Sequence, residues 1–121
     1  VRISVNGTLV ITTIHASNPK TAISRLVSLA AQELGDEPAR DHVASAIRMV
    51  FYQRLRRFGV EKGWRSARIE GDVLVNKGDS HAVANNIRDG KYNQLEHTLA
   101  AQKTQLGLEH MRSFTDLWQK L

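Results

Sequence analysis

The chain has 121 residues, with 17 Lys and Arg against 12 Asp and Glu, which gives a formal net charge of +5 at pH 7. It contains no cysteine, so a disulfide framework, a thiolate zinc site and a cysteine nucleophile are excluded. With 41% hydrophobic and 24% charged residues the composition is that of a globular protein of one domain, and no apolar run approaches the ~18 residues that a membrane span needs.

An uncharged segment follows the turn signal Asn6-Gly7. Residues 8–14 are all Thr, Leu, Val or Ile, a pattern typical of a strand buried on both faces of a parallel sheet. One strand cannot form a sheet alone. The sequence therefore predicts that the neighbours of this strand lie outside the chain.

Strong local signals predict a helix after this strand. Ser17 or Asn18 can cap its start, and Pro19 suits the first helical position. Gly35 is placed to end it. Its apolar stripe comprises Ala22, Ile23, Leu26, Val27, Ala30 and Leu34.

The rest of the chain is predicted to be mostly helical with one small β element. A second helix is expected over about residues 40–58, because apolar residues recur there at helical spacing: Val43, Ile47, Val50, Phe51 and Leu55. Residues 64–75 predict one strand, or a hairpin that turns at Gly71-Asp72. The helices expected after it are a short one capped by Asp79 or Ser80 and closed by Gly90, one bearing Leu95, Leu99 and Leu106 that ends at Gly107, and one bearing Met111, Phe114, Leu117, Trp118 and Leu121.

His15 is the histidine whose position suggests chemistry. It follows the predicted strand, and parallel α/β folds bind ligands at the carboxyl edge of their strands. The next helix offers N–H groups at Asn18, Lys20 and Thr21 to an anion, and a histidine there can contact a phosphate or polarise a water. A structural histidine in a loop is the alternative that spacing leaves open. The other histidines are too scattered for metal-ligand spacing, so no metal site is predicted.

The residues around His15 resemble the histidine box of the bacterial ATPases of type II secretion, type IV secretion and type IV pili. The family pattern is glycine-histidine, a short apolar strand, threonine-leucine-histidine, and a helix with alanine-isoleucine and arginine-leucine. Thr13-Ile14-His15 and Ala22-Ile23…Arg25-Leu26 fit this pattern. Thr8 replaces the family's earlier histidine, so a two-histidine arrangement is not carried over.

The resemblance continues in the same order along the chain. Gln53-Arg54-Leu55 matches a glutamine-arginine-leucine of the family, and residues 64–75 resemble the small strand segment that follows it. Residues 82–91 resemble the pilus-motor segment alanine-isoleucine-arginine-asparagine-leucine-isoleucine-arginine-glutamate-glycine-lysine. Ala84 and Asn86 replace its first arginine and its leucine.

The resemblance implies an α/β fragment that is mainly α. Residues 1–35 would be the last strand and helix of a RecA-like ATPase core, and residues 36–121 a mostly helical C-terminal region. ATP and Mg²⁺ would be bound mainly by residues upstream of this chain, which itself contains no GxxxxGK[ST] phosphate loop. The fragment alone is therefore expected to be inactive. The whole motor would be a homohexamer in the cytoplasm, peripheral to the inner membrane, with secretion or pilus platform proteins as partners.

The resemblance also assigns roles to single residues. His15 would be the catalytic residue that senses the γ-phosphate or the attacking water, flanked by Thr12 and Thr13 as nucleotide-binding residues. Arg25 would be a third nucleotide-binding residue, which holds the histidine box together or reaches across a subunit boundary, the alternative being a surface ion pair. A coupling surface exposed on one helix face is predicted for Asn85, Arg88 and Lys91, which could equally belong to an ordinary surface helix.

Two other functions compete with the motor. The stretch 48–68 holds seven of the 17 basic residues and a single acidic residue, Glu61, which would suit a small helical nucleic-acid-binding module or a solvated surface. A structural adaptor of an inner-membrane complex is the third hypothesis. The opening segment favours the motor, because a nucleic-acid module has no use for an uncharged strand without sheet partners. No nucleic acid is therefore expected.

Overall fold

The computed structural model describes residues 7–58 and 66–105. These residues form a mixed α/β arrangement whose elements are α1 (Pro19–Leu34), α2 (Asp36–Ala46), β1 (Met49–Phe58), β2 (Ser66–Val75), α3 (Ala82–Arg88) and α4 (Gln94–Gln105). The predicted final helix with Met111 and Trp118, and the predicted helix end at Gly107, lie outside the described residues.

Helix α1 confirms the prediction made from its local signals. Asn18 is the N-cap, and its Oδ1 accepts a hydrogen bond from the Thr21 N–H at 2.8 Å. Pro19 occupies the first helical position. At the other end Gly35 has φ 80° and donates its N–H to the Ala31 carbonyl at 2.9 Å, a conformation that glycine adopts without a steric penalty.

The opening segment does not form the predicted buried strand. Residues 8–16 carry no regular secondary structure, and Leu9 and Ile11 are 81% and 88% exposed. The reason is the absence of a partner, because a strand is stabilised by hydrogen bonds to a neighbour. In the described part of the chain the sheet consists of β1 and β2 alone, and the segment joins neither strand.

The predicted helix over residues 40–58 is wrong in its second half. Helix α2 ends at Ala46, Ile47 is already extended with φ −71° and ψ 132°, and β1 begins at Met49. Pairing with β2 overrides the helical spacing, since the two strands run antiparallel with Met49 opposite Val75. Arg54, Arg56 and Arg57 of the basic stretch therefore lie on β1, and Arg68 lies on β2, not on a helix.

Strand β2 is one continuous strand, so a turn at Gly71-Asp72 is also wrong. Gly71 lies in mid-strand opposite Gln53. A Cβ atom at this position would stand 2.9 Å from the Tyr52 carbonyl oxygen, closer than such atoms approach. Glycine is needed here because the two backbones come close together, not because the chain reverses.

The core lies where the helices meet one face of the ribbon. Helix α1 packs on α2, α2 packs on α3, and α4 packs on α3 and β2. The buried residues of this cluster are Ile23, Val27, Ala39, Val43, Ala44, Leu74, Val83, Ala84, Ile87 and Leu95. Helix α3 is capped by His81 and not by Asp79 or Ser80, with its Nδ1 accepting from the Val83 N–H at 3.4 Å.

Candidate functional site

The predicted nucleotide-contacting residues lie together on the segment before α1. Thr12, Thr13 and His15 are all exposed, so their hydroxyl and imidazole groups can reach a ligand from solvent. Arg25, one helix turn and a half into α1, donates from Nη1 to the carbonyl oxygen of His15 at 2.5 Å. The structure thus brings the Arg25 guanidinium to the main chain at His15.

The N-terminus of α1 is less open to an anion than the sequence suggests. Of the predicted free donors, the Thr21 N–H is already bonded to the Asn18 side chain. Lys20 turns towards α4, where Nζ lies 2.8 Å from Glu96 Oε1 and 3.3 Å from Asn93 Oδ1. The hydrogen bond and the positive charge of Lys20 lower the pKa of Glu96. This pair fixes the start of α1 against the start of α4.

Arg88 is the most heavily bonded of the predicted site residues. Its Nε donates to Asp41 Oδ1 at 2.9 Å, its Nη2 to Asp79 Oδ1 at 3.2 Å and to Ser45 Oγ at 3.1 Å, and its Nη1 to the Asp79 carbonyl at 2.7 Å. Arg40 Nε in turn donates to the Arg88 carbonyl at 3.0 Å. The hydrogen bond to Asp41 is the largest cause that raises the pKa of Arg88, so the guanidinium stays charged.

These contacts correct the predicted coupling surface. Asn85 and Lys91 are exposed as expected, and Lys91 Nζ lies 3.5 Å from Asp89 Oδ2. Arg88 instead points back at α2 and fastens α3 to it. The predicted common helix face is wrong, because α3 ends at Arg88 and Lys91 lies beyond it. Helical spacing also carries no information about Asp41, which lies 47 positions from Arg88.

Two arginines on or next to β1 are bonded within the chain, and one of them is paired with a carboxylate. Arg54 Nη2 lies 2.9 Å from Glu70 Oε2 across the two strands, and Arg48 Nη1 donates to the Ser45 carbonyl at 2.7 Å. Within residues 7–58 and 66–105, no group of three or more His, Asp or Glu side chains could hold a metal ion. Nor is any helix of that region long and apolar enough to cross a membrane.

Sequence reasoning missed two buried amides that organise the fold around the site. Asn76 Nδ2 donates to the carbonyl oxygens of Ala44 and Ile47, both at 3.0 Å, and Gln102 bonds the backbone of Val75. A signal for Asn76 is its place directly after an apolar strand. Gln102 carries no local signal, because its partner Val75 lies 27 positions away in the sequence.

Comparison with known proteins gives one informative similarity. Over 95 residues the chain is 37% identical to the uncharacterized protein YggR of Escherichia coli (strain K12). The aligned part is 77% of this chain and 26% of that relative, so the chain matches about a quarter of its length. No family model matches the chain, and no solved structure matches it.

Proposed function

We propose that this chain is the C-terminal portion of a hexameric motor ATPase of the secretion and pilus type. In this proposal residues 12–15 complete a nucleotide site whose main part lies elsewhere in the protein. The helical remainder passes the resulting movement to a partner. The motor would work in the cytoplasm at the inner membrane, on secretion or pilus platform proteins, and not on nucleic acid.

The observation that carries the proposal is the exposed apolar segment before α1. Leu9 and Ile11 are 81% and 88% exposed, and Val10 and Ile14 are 44% and 38% exposed. Full burial of one such side chain is worth about 1.5–3 kcal/mol, and a run of them in water indicates a missing partner. A parallel sheet elsewhere in the same protein would cover both faces of this segment and satisfy its backbone.

The order of the family motifs supports the same conclusion. The histidine-box pattern, Gln53-Arg54-Leu55 and residues 82–91 occur in family order along the chain. In such a motor, pairing of residues 8–14 with a sheet would place Thr12, Thr13 and His15 at its carboxyl edge, where phosphates bind. His15 could then donate to developing negative charge, which is the main way that proteins catalyse phosphoryl transfer.

The described residues can contribute hydrogen-bond donors to an ATP site but cannot form the whole site. They offer the hydroxyls of Thr12 and Thr13 and the ring of His15, but no metal cluster and no phosphate loop. Bound Mg²⁺-ATP supplies the phosphoanhydride bond, and the cradle for it would lie in another part of the protein. This chain's own contribution is to orient donors, with Arg25 holding the His15 backbone.

The contacts between the helices would couple the nucleotide site to the partner surface. Helix α1 packs on α2, and Arg88 fastens α3 to α2 through Asp41 and Ser45. A shift at the His15 end of α1 can therefore reach α3 as a rigid-body movement, the usual way that packed domains transmit a ligand signal. Asn85 and Lys91 would present that movement to the platform partner.

The test is ATP turnover by the full-length protein that carries this chain. We expect a hexamer with Mg²⁺-dependent turnover, and no turnover by the 121 residues alone. His15→Ala should lower kcat by about 10²–10³-fold, the cost of one preorganised donor, and leave nucleotide affinity nearly unchanged. His97→Ala, at an exposed histidine on α4, is the matched control. An inactive full-length protein, or normal turnover by His15→Ala, would contradict the proposal.

A further inference from the structure

Helix α1 is anchored to the rest of the described fold along its length. Near its start the Lys20 ammonium pairs with the Glu96 carboxylate of α4 at 2.8 Å. In its middle Ile23 and Val27 are buried in the cluster to which α2, α3, α4 and β2 also contribute. Because these contacts join α1 to the other three helices, a force on its first turn acts on all four.

The junction between α1 and α2 is braced, although a glycine between two helices suggests a hinge. The Gly35 N–H donates to the Ala31 carbonyl at 2.9 Å, and the Gly35 carbonyl accepts from the Ala39 N–H at 3.1 Å. Ala39 is fully buried, and the two helices pack on each other. Bending at Gly35 would break both hydrogen bonds and open this packing, so the structure disfavours a hinge there.

The chain changes character immediately before α1. Residues 8–16 carry no regular secondary structure, whereas Asn18 already belongs to the helical body. Its side chain accepts from the Thr21 N–H, and the following proline restricts its backbone to the extended region in which it lies, with φ −166° and ψ 169°. Residues 15–17 are therefore the last positions before α1 whose backbone can turn while the helix keeps its hydrogen bonds.

We propose that residues 15–17 are a hinge, about which α1 to α4 move as one body relative to residues 8–14. The inference rests on the proposed function, in which a sheet elsewhere in the protein holds residues 8–14. Hinges lie at loop or element-terminal positions that absorb a change in φ and ψ while packed bodies keep their contacts. Residues 15–17 have such a position, whereas Gly35 lies inside the packed body.

Arg25 fastens this hinge from the side of the helical body. Its Nη1 donates to the His15 carbonyl oxygen at 2.5 Å, so the body holds the main chain of the residue whose ring is proposed to contact a phosphate. A change in the phosphate contact at the His15 ring would therefore act on the angle between the two bodies. The Arg25 hydrogen bond favours the angle that the structure describes.

Native-state hydrogen exchange of the 121-residue chain tests whether α1 belongs to the body. We expect the amides of Val27, Val43 and Ile87, which lie in α1, α2 and α3, to open as one cooperative unit with the same dependence on denaturant. The amides of residues 8–14 should exchange rapidly outside this unit. Opening of Val27 before Val43 and Ile87 would overturn the proposal, because α1 would then not move with the other helices.

Spin-label distances in the full-length protein test the hinge itself. Labels at Thr8→Cys and Gln32→Cys span residues 15–17, and labels at Gln32→Cys and Ala101→Cys span Gly35; all three labelled positions are exposed. Labelled chains are diluted with unlabelled chains, so that distances within one chain dominate. A non-hydrolysable ATP analogue should shift the first distance and leave the second unchanged.

The Arg25 contact is tested with the same labels. Arg25→Met should broaden the distribution of distances between positions 8 and 32 without nucleotide, and Ser28→Ala, at an exposed position of α1, should leave it unchanged. A change of the 32–101 distance on addition of the analogue would overturn the proposal and place the hinge at Gly35. Unchanged distances in a protein that binds the analogue would overturn the hinge alone, whereas failure to bind the analogue would contradict the proposed function as well.

Discussion

The side-chain amide of Gln102 forms hydrogen bonds with both backbone polar groups of Val75. Its Nε2 donates to the Val75 carbonyl at 2.7 Å, and its Oε1 accepts from the Val75 N–H at 2.9 Å. Gln102 is only 5% exposed. Its amide takes the place that a third strand would have at this edge of β2. One side chain thus joins α4 to the ribbon.

Replacing this amide should destabilise the fold. In Gln102→Leu both backbone polar groups of Val75 lose their partner in a partly buried place, and the free energy of unfolding should fall by about 1–3 kcal/mol. Urea denaturation measures the change. Gln105→Leu, at an exposed position of the same helix, should change stability by no more than ~0.5 kcal/mol. Equal effects of the two substitutions would show that the Val75 bonds contribute nothing.

Arg88→Ala should destabilise the chain before it affects any partner. It removes the hydrogen bonds to Asp41, Asp79 and Ser45, which should cost about 1–2 kcal/mol, limited by the exposure of the two carboxylates. Arg88→Lys should recover only part of this, because an ammonium cannot bridge all three groups. Lys91→Ala serves as the control in thermal unfolding. If it destabilised the chain as much as Arg88→Ala, Arg88 would not be fastening α3 to α2.

The Lys20–Glu96 pair predicts a pH dependence of stability. Lys20 lowers the pKa of Glu96 below its ordinary value of 4.5 in the folded chain. The stabilisation is therefore present above pH 4.5 and is lost as pH falls through the lowered value. The difference in Tm between wild type and Glu96→Gln should be largest at neutral pH and vanish in acid. Gln32→Ala, which removes an uncharged side chain at an exposed position of α1, should show no such trend. A Tm difference that persisted in acid would have another cause.

Gly71→Ala tests why a glycine stands in mid-strand. The added Cβ would lie 2.9 Å from the Tyr52 carbonyl oxygen and 3.5 Å from Cζ of Phe51. Relieving such overpacking costs about 1–3 kcal/mol, measurable as a lower midpoint in urea. The substitution should be harmless if Gly71 were in an exposed turn, so unchanged stability would contradict the strand register at this position.

The helix ends that depend on contacts between nearby residues were predicted correctly from the sequence. Asn18, Pro19 and Gly35 begin and end α1 by contacts within a few residues, and the prediction was right at both ends. The end of α2 depends on Asn76, which caps the carbonyls of Ala44 and Ile47 from across the sequence. Helical spacing continued past that point, so the sequence predicted helix where β1 forms.

In the candidate site, too, contacts between residues close in the sequence could be predicted, and contacts between distant residues could not. The grouping of Thr12, Thr13 and His15 follows from their adjacency, and the contact of Arg25 with His15 spans only ten positions. The partners of Arg88 on α2 come from tertiary packing, which spacing within 82–91 cannot reveal. The strand at 8–14 was expected from its composition, but composition cannot supply the neighbour that a strand requires.

Amide hydrogen exchange at residues 8–14 tests the motor proposal most directly. In the 121-residue chain these amides lie in an exposed segment without secondary structure, and we expect them to exchange rapidly. In the full-length protein, pairing with a sheet should protect them by several orders of magnitude, comparable to the buried part of α1 around Ile23. Rapid exchange of residues 8–14 in the full-length protein would contradict the account, because His15 would then lack the strand that places it at a nucleotide site.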